Sequence, residues 1–270
     1  MWQDTYQTET PLRPCARPPP TPAGTPYHRR VATIGGANQD VRFCRAPDGV
    51  RIAYAVHGSG PPLVITTCWL SHLQHDWQSP VWRHFLRDLG RVATVIRYDE
   101  RGHGLSDRDV DDFSLEARIG DLEAVVEHSG VERFAVMAMS QGGPVAIRYV
   151  ADHVDRVSRV IFYGSYAAAM PAPSAEDLEM QEAIDRIIKV GWSRPTAEFR
   201  RVFTTLMIPG ATEEQMTWLD ELQRVAVTAD TMFKARRQRV LADATDDLAR
   251  LTMPTLILHS VNDRMNEFEF

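Results

Sequence analysis

The eleven residues from Phe134 to Pro144, FAVMAMSQGGP, decide the fold of this 270-residue chain. The six apolar residues 134–139 predict a short buried strand, and a proline after two glycines is typical of the first turn of a helix. Ser140 stands where strand and helix meet. A serine on such a sharp turn has the geometry of a nucleophile elbow, which exposes its hydroxyl above the sheet. The alternative is a glycine-rich turn in which Ser140 only caps the helix. Its place between strand and helix favours the elbow.

The segments on either side of this stretch alternate between strand and helix. Strands are predicted at 41–45, 50–56, 63–67, 92–98, 160–163 and 255–259, and helices at 82–89, 114–129 and 144–153. Ala46-Pro47-Asp48-Gly49 is a turn signal that predicts a hairpin between the first two strands. Ser114 and Gly130 have the residue types of helix caps. This alternation predicts an α/β fold with a mostly parallel sheet covered by helices on both faces.

The distribution of these signals divides the chain into four segments. Residues 1–40, which include Pro18-Pro19-Pro20, are expected to be a flexible proline-rich tail. Residues 41–165 are the first part of the α/β core, 166–250 a helical lid, and 251–270 a second, incomplete part of the core. Four lid helices are predicted, at 174–190, 196–207, 212–227 and 229–241, two of them with capping boxes at their starts. A helical insertion of this kind is expected to cover the carboxyl edge of the sheet.

Composition and charge exclude several classes of protein. Hydrophobic residues make up 44% of the chain and charged residues 24%, which is typical of a globular domain. The net charge of −6 gives no reason to expect a nucleic-acid partner. No apolar run approaches the length of a membrane span. Cys15, Cys44 and Cys68 are widely spaced, which argues against a disulfide framework and predicts a cytoplasmic location.

Asp263 is the candidate acid partner of Ser140. It follows the last predicted strand by four residues, in Asn262-Asp263-Arg264, where a triad acid would orient a histidine. The alternative is an ordinary turn aspartate. The order of serine first and acid later in the chain favours the catalytic interpretation.

The loop after strand 63–67 is the candidate second half of an oxyanion hole. Cys68, Trp69 or Leu70 offers a main-chain N–H that would pair with that of Gln141 to bind an oxyanion. Of these pairs, Gln141 with Trp69 is the one that we carry forward.

Substrate contacts are predicted in the lid, and no metal or cofactor is predicted. Trp192, Phe203 and Trp218 are the candidates for lining an apolar pocket, although packing between helices is the more common fate of such residues. His72-x-x-His75-Asp76 has a spacing that metal ligands use, but no second ligand cluster accompanies it. The loop 99–107, rich in charge and glycine, is expected to have a structural role.

Three motifs together resemble the α/β-hydrolase superfamily. They are Asp99-x-Arg101-Gly102-x-Gly104-x-Ser106, Met139-Ser140-Gln141-Gly142-Gly143, and Pro254-Thr255-Leu256-Ile257-Leu258-His259 followed by Asn262-Asp263. The segments 42–54, 76–84 and 96–102 further resemble a bacterial subgroup in which the hydrolase domain often stands beside a nucleotide-cyclase domain or a helix-turn-helix regulator. The resemblance covers residues 41–263. It implies a Ser–Asp–His hydrolase, with Ser140 as nucleophile and Asp263 as acid.

The chain departs from the family pattern at three places. Ala138 replaces the first glycine of the elbow, and Val154 stands where His-Pro is usual; both changes are minor. The third departure is severe. The family's histidine follows an eighth strand after the acid, and the 270 residues stop at Phe270, before such a strand and histidine. We therefore expect the chain to lack the last strand and helix and to be a fragment of a longer hydrolase, or else a degenerate product. Strand 255–259 would then be an exposed edge, and His72 or His103 would be the alternative bases.

Two functions fit these observations. The first is a serine hydrolase acting on an ester, thioester or amide of a small apolar molecule, with doubtful activity as 270 residues because the base is absent; cofactor-independent haloperoxidase chemistry would use the same residues. The second is a non-catalytic sensory module that binds a small ligand for a regulatory domain of a longer parent protein. Neither function calls for a nucleic acid, a membrane or a cofactor.

Overall fold

A seven-stranded, mostly parallel sheet forms the centre of the protein in the computed structural model, which describes residues 39–169, 173–263, 265 and 266. Its strands, in chain order, are β1 Asp40–Arg45, β2 Arg51–Gly58, β3 Pro62–Thr66, β4 Thr94–Tyr98, β5 Phe134–Met139, β6 Val157–Tyr163 and β7 Thr255–Leu258. The spatial order is β1-β2-β4-β3-β5-β6-β7. Strand β2 runs antiparallel to both of its neighbours, β1 and β4, and all other neighbouring strands are parallel. The predicted α/β sheet and hairpin are confirmed, while the proline-rich segment 1–38 lies outside the described residues.

Eight α-helices accompany the sheet within the described part of the chain. They are α1 Leu73–Asp76, α2 Arg83–Leu89, α3 Leu115–Ser129, α4 Gly143–Asp152, α5 Ala175–Gly191, α6 Glu198–Met207, α7 Glu213–Ala226 and α8 Ala229–Arg239. Ser114 caps α3 by accepting a hydrogen bond from the N–H of Ala117, and Gly130 ends it in a left-handed conformation. Both predicted capping boxes of the lid are present, at Ser174 and at Thr212.

Alternating strand residues divide the core between the two faces of the sheet. Val64 and Val136 pack with α3 and α4 on one face, whereas Ile65 and Met137 pack against α2 on the other. Successive side chains of a strand point to opposite faces, so continuous apolar strands bury both sides of the sheet. Because β3, β5, β6 and β7 run parallel to one another, their carboxyl ends lie along one edge of the sheet, and the candidate site residues lie at this edge.

The helical segment between β6 and β7, for which we keep the name of the predicted lid, has an apolar core of its own. Its buried members come mostly from α5 to α8 and include Ile188, Trp192, Phe203, Leu222 and Met232. Leu70, from the loop after β3, is buried in the same cluster, so the lid packs directly onto the carboxyl edge of the sheet. Every helix within the described residues is too short or too polar to cross a membrane.

A narrow neck joins the lid to the sheet. Ala168 and Asp243 form an isolated antiparallel bridge, and the N–H of Ala244 donates to the carbonyl of Ala167 over 3.0 Å. The chain therefore leaves the core after β6 and returns to it before β7 at adjacent points.

Strand β7 forms one edge of the described sheet, and all four of its residues are exposed. Leu256, Ile257 and Leu258 are 51%, 67% and 42% exposed. The sheet thus presents unpaired main-chain groups beside apolar side chains on this side.

Candidate active site

Ser140 occupies a strained turn between β5 and α4. Its φ of 48° makes it the sole residue other than glycine with a positive φ in the described part of the chain. Such a conformation costs an L-residue about 1–3 kcal/mol and persists where the surroundings impose it. A Cβ on Gly142 would collide with the Thr66 hydroxyl, and one on Gly143 would collide with the carbonyl of Tyr166. The turn therefore needs both glycines, and it presents the half-buried Ser140 at the carboxyl edge of the sheet.

The loop after β7 reaches the Ser140 hydroxyl through Asn266. The Asn266 side-chain amide donates to Ser140 Oγ over 3.3 Å and to the Gly164 carbonyl over 2.8 Å. Asp263 Oδ1 accepts hydrogen bonds from the N–H groups of Met265, at 2.8 Å, and Asn266, at 3.0 Å. The structure thus brings the loop that contains Asp263 to Ser140. The group of this loop that contacts the Ser140 hydroxyl is the amide of Asn266.

His259 belongs to the same group of side chains. Its Nε2 lies 2.7 Å from the Asn266 carbonyl and 3.9 Å from Asp263 Oδ2. A carbonyl only accepts, so the Nε2–H tautomer donates to it. His259 therefore supports the loop that contacts Ser140.

The two predicted oxyanion-hole residues, Gln141 and Trp69, are connected through a side chain. Gln141 Nε2 donates to the carbonyl of Cys68 over 3.2 Å, and this carbonyl belongs to the peptide unit that carries the Trp69 N–H. Gln141 lies in the turn Ser140–Gly142 that leads into α4, whose N-terminus places a positive potential beside Ser140.

A buried charged group, which we call the Glu100 cluster, surrounds the Gln141 side chain. Glu100 forms ion pairs with Arg118 Nε, at 2.5 Å, and Arg239 Nη2, at 2.6 Å, and it accepts from Gln141 Nε2 at 3.2 Å. Arg118 also donates to the Gln141 carbonyl over 3.0 Å. The two guanidinium groups hold the pKa of the Glu100 carboxyl at about 2 although burial alone would raise it. Glu100 is therefore ionised at neutral pH.

The two alternative bases have other partners. His103 Nδ1 lies 2.9 Å from the Arg101 carbonyl, and its Nε2 lies 3.3 Å from Arg239 Nη2. Burial and the neighbouring Arg239 charge lower the pKa of His103 to about 3, so it is neutral and a weak base. His72 caps α1 by accepting from the N–H of His75, and burial lowers its pKa as well. Each imidazole thus has a contact within its own loop or helix, and a role of either one as base stays a prediction.

The three predicted substrate-binding aromatic residues separate into two environments. Trp192 and Phe203 are buried in the lid core, and both contact the ring of Trp69, with centroid distances of 5.6 and 5.4 Å. The half-buried Trp218 instead stacks on His75 at 4.7 Å. The structure thus brings two of the three to the predicted oxyanion loop. Their contact with a substrate stays a prediction.

A cavity of about 60 Å³ lies beside the elbow. Its lining includes Ile65, Cys68, Asp76, Arg97 and Met139, the last of which precedes Ser140. Burial raises the pKa of the Asp76 carboxyl to about 7, although Arg97 lies 3.5 Å away. Its volume suffices for a few water molecules.

No three His, Cys, Asp or Glu side chains of the described residues are arranged to hold a metal ion. His75 stacks on an aromatic ring and Asp76 faces Arg97, so the His72-x-x-His75-Asp76 stretch is divided between different contacts. These residues present no shared coordination centre.

Sequence reasoning missed Asn266 and the Glu100 cluster. The loop 99–107 was expected to have a structural role, and Arg101, which pairs with Asp121 at 2.7 Å, fulfils it. Glu100, from the same loop, lies at the site instead. The sequence did contain a signal for Glu100, because it is an acidic residue just after a buried strand. In sheets of this type, ligands bind at the edge where the parallel strands end.

Comparison with known proteins agrees with this architecture. The family model described as the alpha/beta hydrolase fold matches residues 61–203. A non-heme haloperoxidase of Rhodococcus erythropolis is 29% identical over 83% of this chain and 82% of its own length. The AB hydrolase superfamily protein YisY of Bacillus subtilis is 27% identical over 79% of this chain and 78% of its own length.

Solved structures show the same fold. An esterase from Exiguobacterium antarcticum superposes with a TM-score of 0.70 at 22% identity, covering 84% of each chain. The esterase RhEst1 from Rhodococcus sp. ECU1013 has a TM-score of 0.63 at 23% identity and covers 84% of this chain and 82% of its own. The family match covers more than half of the residues, and the sheet order and the strained turn at Ser140 agree with it. The chain therefore belongs to the α/β-hydrolase fold family.

Proposed function

We propose that this protein is a serine hydrolase in which Ser140 is the nucleophile and Asp263 the triad acid. The observation that carries the proposal is the strained backbone of Ser140, with a φ of 48°, at an elbow that the Asp263 loop contacts. Strain of this kind concentrates at functional sites. The substrate class is an ester of a small apolar molecule, because the buried aromatic rings of the lid face the loop after β3.

The proposed acyl transfer uses the main-chain N–H groups of Gln141 and Trp69 as the oxyanion hole. Attack of Ser140 Oγ on an ester carbonyl places a negative charge on the carbonyl oxygen, and two preorganised donors stabilise that charge. The N-terminus of α4 adds a favourable potential.

The base is the component that the described residues supply least well. A serine hydroxyl is a poor nucleophile without an adjacent base, and the amide of Asn266 does not take up a proton at neutral pH. We therefore propose that these 270 residues turn over esters slowly or not at all, and that a histidine following Asp263 in a longer parent protein completes the triad.

A fluorophosphonate probe tests this proposal. The 270-residue chain and a form extended along its reading frame are labelled side by side, each with its Ser140→Ala variant, and hydrolysis of p-nitrophenyl esters is followed in parallel. We expect strong labelling and hydrolysis that depend on Ser140 in the extended form only. Robust turnover by the 270-residue chain would show that one of its own residues acts as base.

A small-ligand sensory module is the second candidate, and the amide on the Ser140 hydroxyl favours it. Such a module would bind its ligand under the lid without chemistry and report to a regulatory domain of the parent protein. It predicts that esters or acids raise the melting temperature of Ser140→Ala as much as that of the unaltered chain, and that no extended form labels at Ser140. For either function we propose a cytoplasmic location, because Cys44 and Cys68 are free thiols.

A further inference from the structure

We propose that the side chain of Gln141, held by the Glu100 cluster, is a positioning group that orients both main-chain donors of the oxyanion hole. The inference rests on the proposed hydrolase function, since it assigns a role to residues around that site. It concerns Gln141, Glu100, Arg118 and Arg239, all of them nine-tenths or more buried.

The first step is the link from Gln141 to the loop after β3. In a trans peptide unit the C=O and N–H point in opposite directions. The Gln141 amide donates to the Cys68 carbonyl, so it fixes the direction in which the Trp69 N–H of the same peptide points. One side chain thus sets the orientation of the second donor, while its own main chain provides the first.

The second step is the restraint on Gln141 itself. An amide NH₂ group has two donors, and those of Gln141 are directed to the Cys68 carbonyl and to Glu100 Oε2. Arg118 donates to the main-chain carbonyl of Gln141. Both the side chain and the main chain of Gln141 are therefore held by the Glu100 cluster.

The third step is the charge of the Glu100 cluster. Two arginines face one carboxylate, and His103 next to them is neutral, so one positive charge is left without a compensating carboxylate inside the cluster. A buried charge acts through a lower effective dielectric than water. It favours the state in which negative charge develops at the adjacent oxyanion hole.

The last step is the connection to the lid. Arg239 is the final residue of α8, and its Nη1 lies 3.5 Å from the Trp69 carbonyl. The lid therefore contributes one of the two cations, and it also contacts the peptide unit that follows the Trp69 N–H.

The test compares Gln141→Met and Glu100→Gln with a matched control, Gln223→Met. Gln223 is also buried, and its amide nitrogen lies within hydrogen-bond distance of three acceptors in the lid, among them the Thr204 hydroxyl. Gln141→Met keeps the main-chain N–H and removes only the amide. If one of the two variants at the site does not fold, the other is compared with Gln223→Met in the same way.

Two readouts are used, one of which needs no chemistry. In the extended form, the maximal rate of Ser140 phosphonylation should fall about tenfold in both variants at the site, with half-saturation by the probe changed less than about twofold, and Gln223→Met should match the unaltered protein. In ¹H–¹⁵N spectra the Trp69 amide signal should shift and exchange its hydrogen faster in Gln141→Met and Glu100→Gln only.

The outcomes separate this inference from the proposed function. An unchanged Trp69 signal in Gln141→Met, or a phosphonylation rate equal to that of Gln223→Met, would overturn the inference. A Trp69 signal that responds as expected, in a protein whose Ser140 never labels even in the extended form, would leave the positioning intact and reject the hydrolase function.

Discussion

Asn266 donates a hydrogen bond from its side-chain amide to the hydroxyl of Ser140 over 3.3 Å, across 126 residues of sequence. This contact sits where a serine hydrolase needs a proton acceptor. The same amide donates to the Gly164 carbonyl, so its nitrogen, and not its oxygen, faces the hydroxyl. The properties of the site should therefore depend on the identity of residue 266.

Replacing Asn266 by aspartate should increase the reactivity of Ser140. The change is nearly isosteric and places a carboxylate, which accepts a proton, beside the hydroxyl; general-base assistance contributes about a hundredfold or more when well aligned. We expect the fluorophosphonate labelling rate to rise and to increase with pH as the carboxylate ionises. The melting temperature should fall, because the Gly164 carbonyl loses its donor.

Asn262→Asp is the matched control for that variant. Asn262 is exposed in the same loop. Its replacement by aspartate adds the same charge at a position that does not contact Ser140. Equal labelling rates in the two variants would mean that residue 266 does not control the reactivity of Ser140.

The strain at Ser140 should be measurable as stability. In Ser140→Gly the positive φ becomes permissible, whereas Ser140→Ala keeps a Cβ at 48°. Both variants lose the hydroxyl, so the difference between their free energies of unfolding reports the cost of the positive φ. We expect the glycine variant to have the larger free energy of unfolding, by about 1 kcal/mol in urea titrations. A glycine variant less stable than the alanine variant would contradict the strained elbow.

His103 should make the protein less stable as the pH falls. Its pKa is about 3 in the folded state, below the ordinary value of 6.5. Between these values the unfolded chain binds a proton at this residue that the folded protein does not, so this contribution to the free energy of unfolding declines from pH 6.5 towards pH 3. His103→Gln removes the contribution and should flatten the stability profile.

Urea midpoints at several pH values between 4 and 7 would measure this effect. His84→Gln, at an exposed histidine of α2, controls for the loss of one imidazole. A His103→Gln profile parallel to that of His84→Gln would show that the pKa of His103 is not lowered by folding.

The exposed edge strand should govern self-association. Ile257 is the most exposed apolar residue of β7, at 67%, and a lysine there disfavours strand pairing between molecules. We expect Ile257→Lys to lower light scattering on concentration or mild heating. Leu241→Lys, at a lid residue 79% exposed outside any strand, should leave scattering unchanged. Equal effects would assign the association to general hydrophobicity.

The elements that the sequence predicts well are those whose signal is local. The strands around Ser140 and the helix 115–129 follow from apolar periodicity and caps, which neighbouring residues determine. The elbow follows from a serine and two glycines at the end of a strand. Helix α1 was missed because four residues are too few to show a period.

The elements that the sequence does not predict depend on long-range pairing. Glu100 and Arg239 are 139 residues apart and meet only because α8 folds back onto the end of β4. Each resembles a residue of a solvated surface when viewed alone. Asn266 likewise has no pattern of its own, and its position follows from where the loop after β7 passes over Ser140.

The neck formed by Ala168 and Asp243 has an evolutionary consequence. Because the inserted helices leave and rejoin the core at one point, that whole segment can be exchanged, lengthened or rebuilt without shifting the register of any strand. Selection can therefore act on residues 169–242 while the sheet and the turn at Ser140 stay as they are. Arg239 sets a condition on such exchanges, because a replacement segment must return a cation to Glu100.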